Sequence, residues 1–271
     1  MTIAFIGGGN MARALIGGLI QHGQPVDDIQ VVEINPTIAR QLERDLSLTV
    51  LNSISQLTLN QISTLVFAVK PQQLSEVAKA LGALPNHLRV VSIAAGVTTQ
   101  ALSTWLKGYN NIVRAMPNTP ALIGEGIAGL YATSGVSEED KLDAQSLLSA
   151  VGSTIWVDRE EDLDAVTAVS GSGPAYFFWM MEEMEKIAQA LGLSQEIAKK
   201  LVLQTALGST KLASQSSDTL QVLREKVTSK GGTTEAALNI LNSEQAAKLL
   251  QKAIFAARQR AQELGQVLSQ Q

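Results

Sequence analysis

Two stretches of this 271-residue chain set glycine beside small polar residues in patterns that can hold an anion. In "IAFIGGGNMARAL", Gly7, Gly9 and Ala12 follow G-x-G-x-x-A spacing between an apolar strand-like run and a helix-like run opened by Asn10 and Met11. In a dinucleotide-binding turn the first glycine makes the bend, the second admits a pyrophosphate to the backbone, and the small third residue lets helix and strand pack closely. The phosphates then meet the free N–H groups and the positive dipole end of the helix. The second stretch, "VTSKGGTTEAALNIL" (227–241), places Ser229, Gly231, Gly232, Thr233 and Thr234 before a helix-like apolar run, Ala236, Ala237, Leu238, Ile240 and Leu241. Its exposed amides could take a carboxylate, or it could be a plain helix start with a threonine N-cap.

Other candidates stand where strand-like runs end. "AVKP" (68–71) offers Val69, Lys70 and Pro71, and "MPNTP" (116–120) offers Asn118 and Thr119. These residues either line a cofactor at the switch point of a sheet or do ordinary loop chemistry. Glu33, in "IQVVEINP", lies about 20 residues past the glycines, where NAD-binding chains carry an acid that accepts hydrogen bonds from the adenosine ribose. In that role it repels the 2′-phosphate of NADPH, and NADH is used at least comparably. Otherwise it is a strand-end glutamate in solvent, and Asn35, Thr37 and Arg40 are free to hold a 2′-phosphate.

The elements that must position these residues alternate. Strand-like runs at 2–7, 29–34, 63–69, 88–96 and 111–117 are separated by helix-like runs at 10–23, 35–46, 71–84 and 98–106. Short apolar strands joined by helices make crossover units and a buried parallel sheet. Two further strands at 126–133 and 153–158 bracket a helix at 137–150. Beyond residue 160 the strand signal stops, and four or five helices follow, among them 174–191 and 243–269. The expected division is therefore 1–160 and 161–271. The helix from Ala175 opens with Tyr176, Phe177, Phe178, Trp179, Met180 and Met181, apolar on every side, so it must be covered, and a second copy of the chain is the expected cover.

Composition removes several classes of function. The chain has no cysteine, which excludes disulfides, thiolate catalysis and a Cys-based zinc site and fits a reducing cytoplasm. A net charge of −4 with scattered Lys and Arg argues against nucleic acid. No apolar run reaches the roughly 18–20 residues of a membrane span, and the first residues lack the pattern of a signal peptide. The two histidines, His22 and His87, stand singly near turns, so no metal site is expected.

Taken in order, "FIGGGNMARALIGGL", "VFAVKPQ", "VVSIAAGV", "VRAMPNTPALIGEG", "VSGSGPAY" and "VTSKGGTTEAAL" resemble pyrroline-5-carboxylate reductases over nearly the whole chain. The last motif is specific, and Lys230 stands in it where the family commonly has proline. The resemblance implies an α/β Rossmann-type, doubly wound, mostly parallel sheet followed by an all-helical C-terminal dimerisation domain. It further implies reduction of the cyclic imine 1-pyrroline-5-carboxylate to L-proline with NADPH or NADH, and a homo-oligomer built on a dimer. A ketone reductase needs an acid to meet charge growing on oxygen. Against the pattern of related 3-hydroxyacid dehydrogenases, however, this chain places Phe177 and Met180 where lysine and asparagine belong. An imine nitrogen can be protonated before hydride arrives, and a hydroxyl suffices, for which Thr234 is the matched residue. The competing readings are another imine or hydroxyacid reductase on this scaffold and a non-enzymatic NAD(P)-sensing regulator.

Overall fold

The computed structural model describes residues 2–269. Its first half runs β1 (Ile3–Ile6), α1 (Asn10–Gln21), β2 (Ile29–Val32), α2 (Pro36–Leu46), β3 (Val50–Leu51), β4 (Thr64–Phe67), α3 (Pro71–Leu81), β5 (Arg89–Ser92), α4 (Thr99–Trp105) and β6 (Ile112–Met116). Then come β7 (Gly126–Ala132), α5 (Glu138–Ser149) and β8 (Gly152–Trp156). The strands form one sheet in the order β3-β2-β1-β4-β5-β6-β7-β8, parallel except between β6 and β7. The first six strands in that order are those of a dinucleotide-binding doubly wound sheet, with the switch point between β1 and β4. β3 was not expected from sequence, because two residues carry no period.

The inner strands of a doubly wound sheet are buried on both faces, which is why β1, β4, β5 and β6 read as nearly continuous apolar runs. Ile3 and Phe5 join one core with Leu15, Ile16 and Leu19 of α1 and Leu147 and Leu148 of α5. Ala4 and Ile6 point the other way, into a core with Leu65, Phe67, Leu74 of α3 and Leu102 and Trp105 of α4.

The remainder is helical: α6 (Asp162–Val166), a π-helical turn (Thr167–Gly171), α7 (Gly173–Ala190), α8 (Gln195–Gln215), α9 (Leu220–Lys226), α10 (Thr233–Ser243) and α11 (Ala246–Ser269). Among the described residues that makes six α-helices instead of four or five, since α6 and α9 span only 5 and 7 residues and leave no periodicity. Contacts divide the chain differently from the expected cut at residue 160. One unit runs to Ser172 and takes the chain up again from Ala257, and the other is Gly173–Ala256. Within the first unit α6 lies against β7, where a Cβ on Gly129 would stand 2.8 Å from Val166. The last turns of α11 join the same unit. Leu268 enters the second core, and a Cβ on Gly265 would stand 3.0 Å from the Gly96 carbonyl.

The start of α4 is tied to β6 through Glu160, which forms a largely buried ion pair. Arg114, 5% exposed, donates to Glu160 Oε1 at 2.9 Å. The same carboxylate accepts from the Thr99 amide at 2.7 Å and the Thr99 hydroxyl at 2.5 Å. Removing Glu160 leaves the buried Arg114 with only the longer contact to Asp164 at 4.0 Å, poor compensation for a buried charge. Glu160→Ala is therefore expected to cost about 3 kcal/mol of stability, with Glu160→Gln milder, read as the shift in the urea midpoint of unfolding.

Candidate active site

The turn after β1 is made of backbone because its surroundings leave no room for side chains. Gly7 has φ +100°, and a Cβ there would lie 2.7 Å from the Ala68 carbonyl at the end of β4. A Cβ on Gly8 would strike Leu42 of α2 at 2.5 Å. Gly9 differs, since nothing lies within 4 Å of the Cβ it lacks. It is the N-cap of α1, with no side-chain cap and no acidic residue in the first turn. The amides opening the helix at Asn10, Met11 and Ala12 therefore have neither an intrahelical nor a side-chain acceptor, the arrangement that takes a pyrophosphate. Ala12, 1% exposed, packs into the core beneath them.

Glu33 stands at the end of β2, half-buried. Its Oε2 accepts from the Gly8 amide at 2.8 Å, and its Oε1 accepts from the Asn35 amide at 2.7 Å. The carboxylate is thus held against the glycine turn instead of lying free in solvent. Asn35 Oδ1 caps α2, accepting from the amides of Thr37 (2.9 Å) and Ile38 (3.4 Å), with Pro36 in the first turn. At the end of β4, Val69 is half-buried, Lys70 is the exposed N-cap of α3, and Pro71 opens that helix.

Asn118 and Thr119 follow β6 and separate in role. Asn118 is 8% exposed, and both ends of its side chain are engaged: Oδ1 accepts from the Ile127 amide at 2.9 Å and Nδ2 donates to the Ser170 carbonyl at 3.2 Å. Its side chain therefore holds β7 and the π turn, which is the loop chemistry its spacing allowed, while Thr119 is exposed at the start of a short 3-10 turn. Ser170, in that π turn, had no signal in the sequence. An i→i+5 bond, Ser172 N–H to the Thr167 carbonyl at 2.8 Å, creates the turn, and such turns collect at functional sites.

In the second unit, the loop before α10 is arranged differently from a threonine-capped helix. Gly232 is the N-cap, with no side-chain cap, and Thr233 and Thr234 are already in the first turn. Gly231 has φ +74°, the left-handed bend that needs glycine. Of the amides of Gly231, Gly232 and Thr233, which the sequence offered to an anion, two are occupied. The Gly231 N–H donates to Glu235 Oε2 at 2.6 Å, and the Gly232 N–H donates to the Ser229 carbonyl at 3.0 Å. The amides without an intrahelical acceptor are those of the first turn, starting at Thr233 and Thr234. Ser229 and Thr233 are exposed, and Thr234 is half-buried. Glu235 was missed by the sequence reading, although an acid in the first turn of a helix is a recognised N-terminal signal. Among the described residues no cluster of His, Cys, Asp or Glu is placed to hold a metal ion, and no helix is long and apolar enough to cross a membrane.

Residues 160–264 match the family model described as pyrroline-5-carboxylate reductase dimerisation, and residues 2–96 match that described as NADP oxidoreductase coenzyme F420-dependent. A pyrroline-5-carboxylate reductase of Pseudomonas aeruginosa is 44% identical over 99% of this chain and 98% of its own length. The chain belongs to the pyrroline-5-carboxylate reductase family. A solved reductase of this family from Coxiella burnetii superposes with a TM-score of 0.90 at 40% identity, covering 97% of this chain and 98% of that one. A pyrroline carboxylate reductase from Plasmodium falciparum, solved with NADP bound, superposes with a TM-score of 0.86 at 27% identity, covering 98% of each chain. The glycine turn after β1 fits a dinucleotide, since its free amides and the empty space over Gly9 are what a pyrophosphate requires.

The glycines separate fold from binding. Gly9→Val should leave stability within about 0.5 kcal/mol and weaken dinucleotide binding at least about tenfold, because the new side chain occupies ligand space. Gly7→Ala should instead cost about 1–3 kcal/mol. Thermal unfolding, together with titration of NAD(P)H fluorescence, reads both.

Proposed function

We propose that this chain reduces the cyclic imine of 1-pyrroline-5-carboxylate to L-proline at the expense of NADH or NADPH. The observation that carries this reading is a second helix start, at α10, with open first-turn amides and a half-buried hydroxyl on the same turn. Those groups suit a small substrate bearing a carboxylate beside a C=N bond. When bound, the nicotinamide supplies the hydride. The chain's own part is to hold and orient. The opening amides of α1 hold the pyrophosphate, the amides at Thr233 and Thr234 hold the substrate carboxylate, and exposed Lys230 adds a favourable charge nearby. The Thr234 hydroxyl donates a hydrogen bond to the ring nitrogen, a bond most useful as that nitrogen gains amine character. Catalysis on this account rests mainly on positioning.

We also propose that the working form is a homodimer built on the helical unit. Neither core includes a residue from 173–256. Four successive side chains of α7, Phe177 (67%), Phe178 (64%), Trp179 (61%) and Met180 (52%), are largely exposed in the single chain. Such a face requires a cover. Sedimentation at micromolar concentration should give twice the mass of the chain, and a monomer would overturn the proposal.

Oxidation of NAD(P)H should follow addition of pyrroline-5-carboxylate and not of a 2-oxo acid; turnover of the oxo acid alone would sink the reading. Thr234→Ala should lower kcat roughly ten- to a hundredfold, the worth of one such hydrogen bond, while Thr234→Ser keeps most of the activity. An alanine variant at full speed would remove Thr234 from the mechanism.

A further inference from the structure

NADH and NADPH differ by one phosphate on the 2′ oxygen of the adenosine ribose, and the groups that meet that position in a sheet of this kind lie at the end of β2. Glu33 occupies that place with both carboxylate oxygens on backbone amides, Gly8 N–H at 2.8 Å and Asn35 N–H at 2.7 Å. A carboxylate tied at both oxygens does not swing into solvent to make way for an anion. Each oxygen still has a lone pair for a ribose hydroxyl.

Apart from Arg40, the groups that would welcome a 2′-phosphate are already committed. The first free amides of α2, at Thr37 and Ile38, are taken by Asn35 Oδ1 (2.9 and 3.4 Å). Of the arginines on α1 and α2, Arg13 pairs with Asp45 at 2.6 Å and Arg44 pairs with the same carboxylate at 2.8 Å. Arg40, exposed on α2, has no acidic partner within salt-bridge distance among the described residues. A phosphate entering here meets a fixed negative charge and must compete with it for the Gly8 and Asn35 amides.

We infer that Glu33 is the specificity-determining residue for the cofactor, accepting the adenosine ribose hydroxyls of NADH and excluding the 2′-phosphate of NADPH. The inference rests on the dinucleotide-binding role proposed above and adds the choice between the two dinucleotides. Gly8 is part of the same device. Its missing side chain leaves the amide open to Glu33 Oε2, which would stand 3.3 Å from a Cβ there.

The test is equilibrium binding of NADH and NADPH to the full chain without imine substrate, followed by nicotinamide fluorescence, with thermal unfolding of each variant as the check on folding. The wild-type chain should bind NADH more tightly than NADPH. Glu33→Ser should shift the ratio of the two dissociation constants toward NADPH by about tenfold or more. Glu33→Gln, which keeps the shape and one acceptor oxygen, should relieve most of the NADPH penalty with less loss of NADH affinity. Arg40→Ala in the Glu33→Ser background should reverse part of the gain for NADPH. Tighter binding of NADPH by the wild type, or an unchanged ratio in both Glu33 variants, would overturn the inference. If neither dinucleotide binds, the cofactor role falls as well. A chain that binds NADH selectively yet does not reduce the imine would refute the proposed reaction alone.

Discussion

The turn that follows β1 is the constraint on which the N-terminal unit depends. β1 lies between β2 and β4 with Ile3 paired to both Ile29 and Thr64, so its end opens at the switch point of the sheet. The chain must reverse there against the Ala68 carbonyl, which leaves no space for a Cβ at Gly7. Once that turn is made of bare backbone, the amide of Gly8 is free for the Glu33 carboxylate and α1 starts beneath open space. The cofactor cradle and the residue proposed to select the cofactor are thus two results of one steric requirement.

The same sheet explains where the buried polar groups go. Arg89, 3% exposed, enters from β5 and meets Asp143 at 2.7 Å and Asp140 at 3.1 Å. Arg114 enters from β6 and meets Glu160. Buried charges persist only when paired and hydrogen-bonded, and here the partners come from α5 and from Glu160, two residues before α6. The pairs therefore tie flanking helices to particular strands. They carry no part of the proposed chemistry.

The helical unit is organised by a different shortage. Its helices bury few side chains among themselves; on α8, for example, only Ala198 and Val202 are buried. Its apolar residues are left for a partner to cover, and the loop before α10 is rigidified locally instead. Gly231 supplies the left-handed bend, and Glu235 reaches back to its amide. A carboxylate of the chain itself, that of Glu235, already sits on this loop.

Much of this was written locally in the sequence. The G-x-G-x-x-A spacing, the continuous apolar strands and the helix from Ala175 that is apolar all round each follow from residue type and period, so the parallel sheet, the glycine turn and the change to helix near residue 160 were legible. What local pattern could not carry was any choice made by a distant neighbour. The expected cut at 160 runs through a unit that the contacts extend to Ser172, because α6 packs on β7, and the last turns of α11 return to Gly96 although nothing in their own period says so. Asn118 gave its side chain to β7 and the π turn because Ile127 and Ser170 were there to meet it. Glu33 was free on sequence grounds to face solvent or ribose. The Asn35 amide is a local donor, but only the folded turn set the Gly8 amide, 25 residues away in sequence, where it could hold the second oxygen and fix the carboxylate's direction.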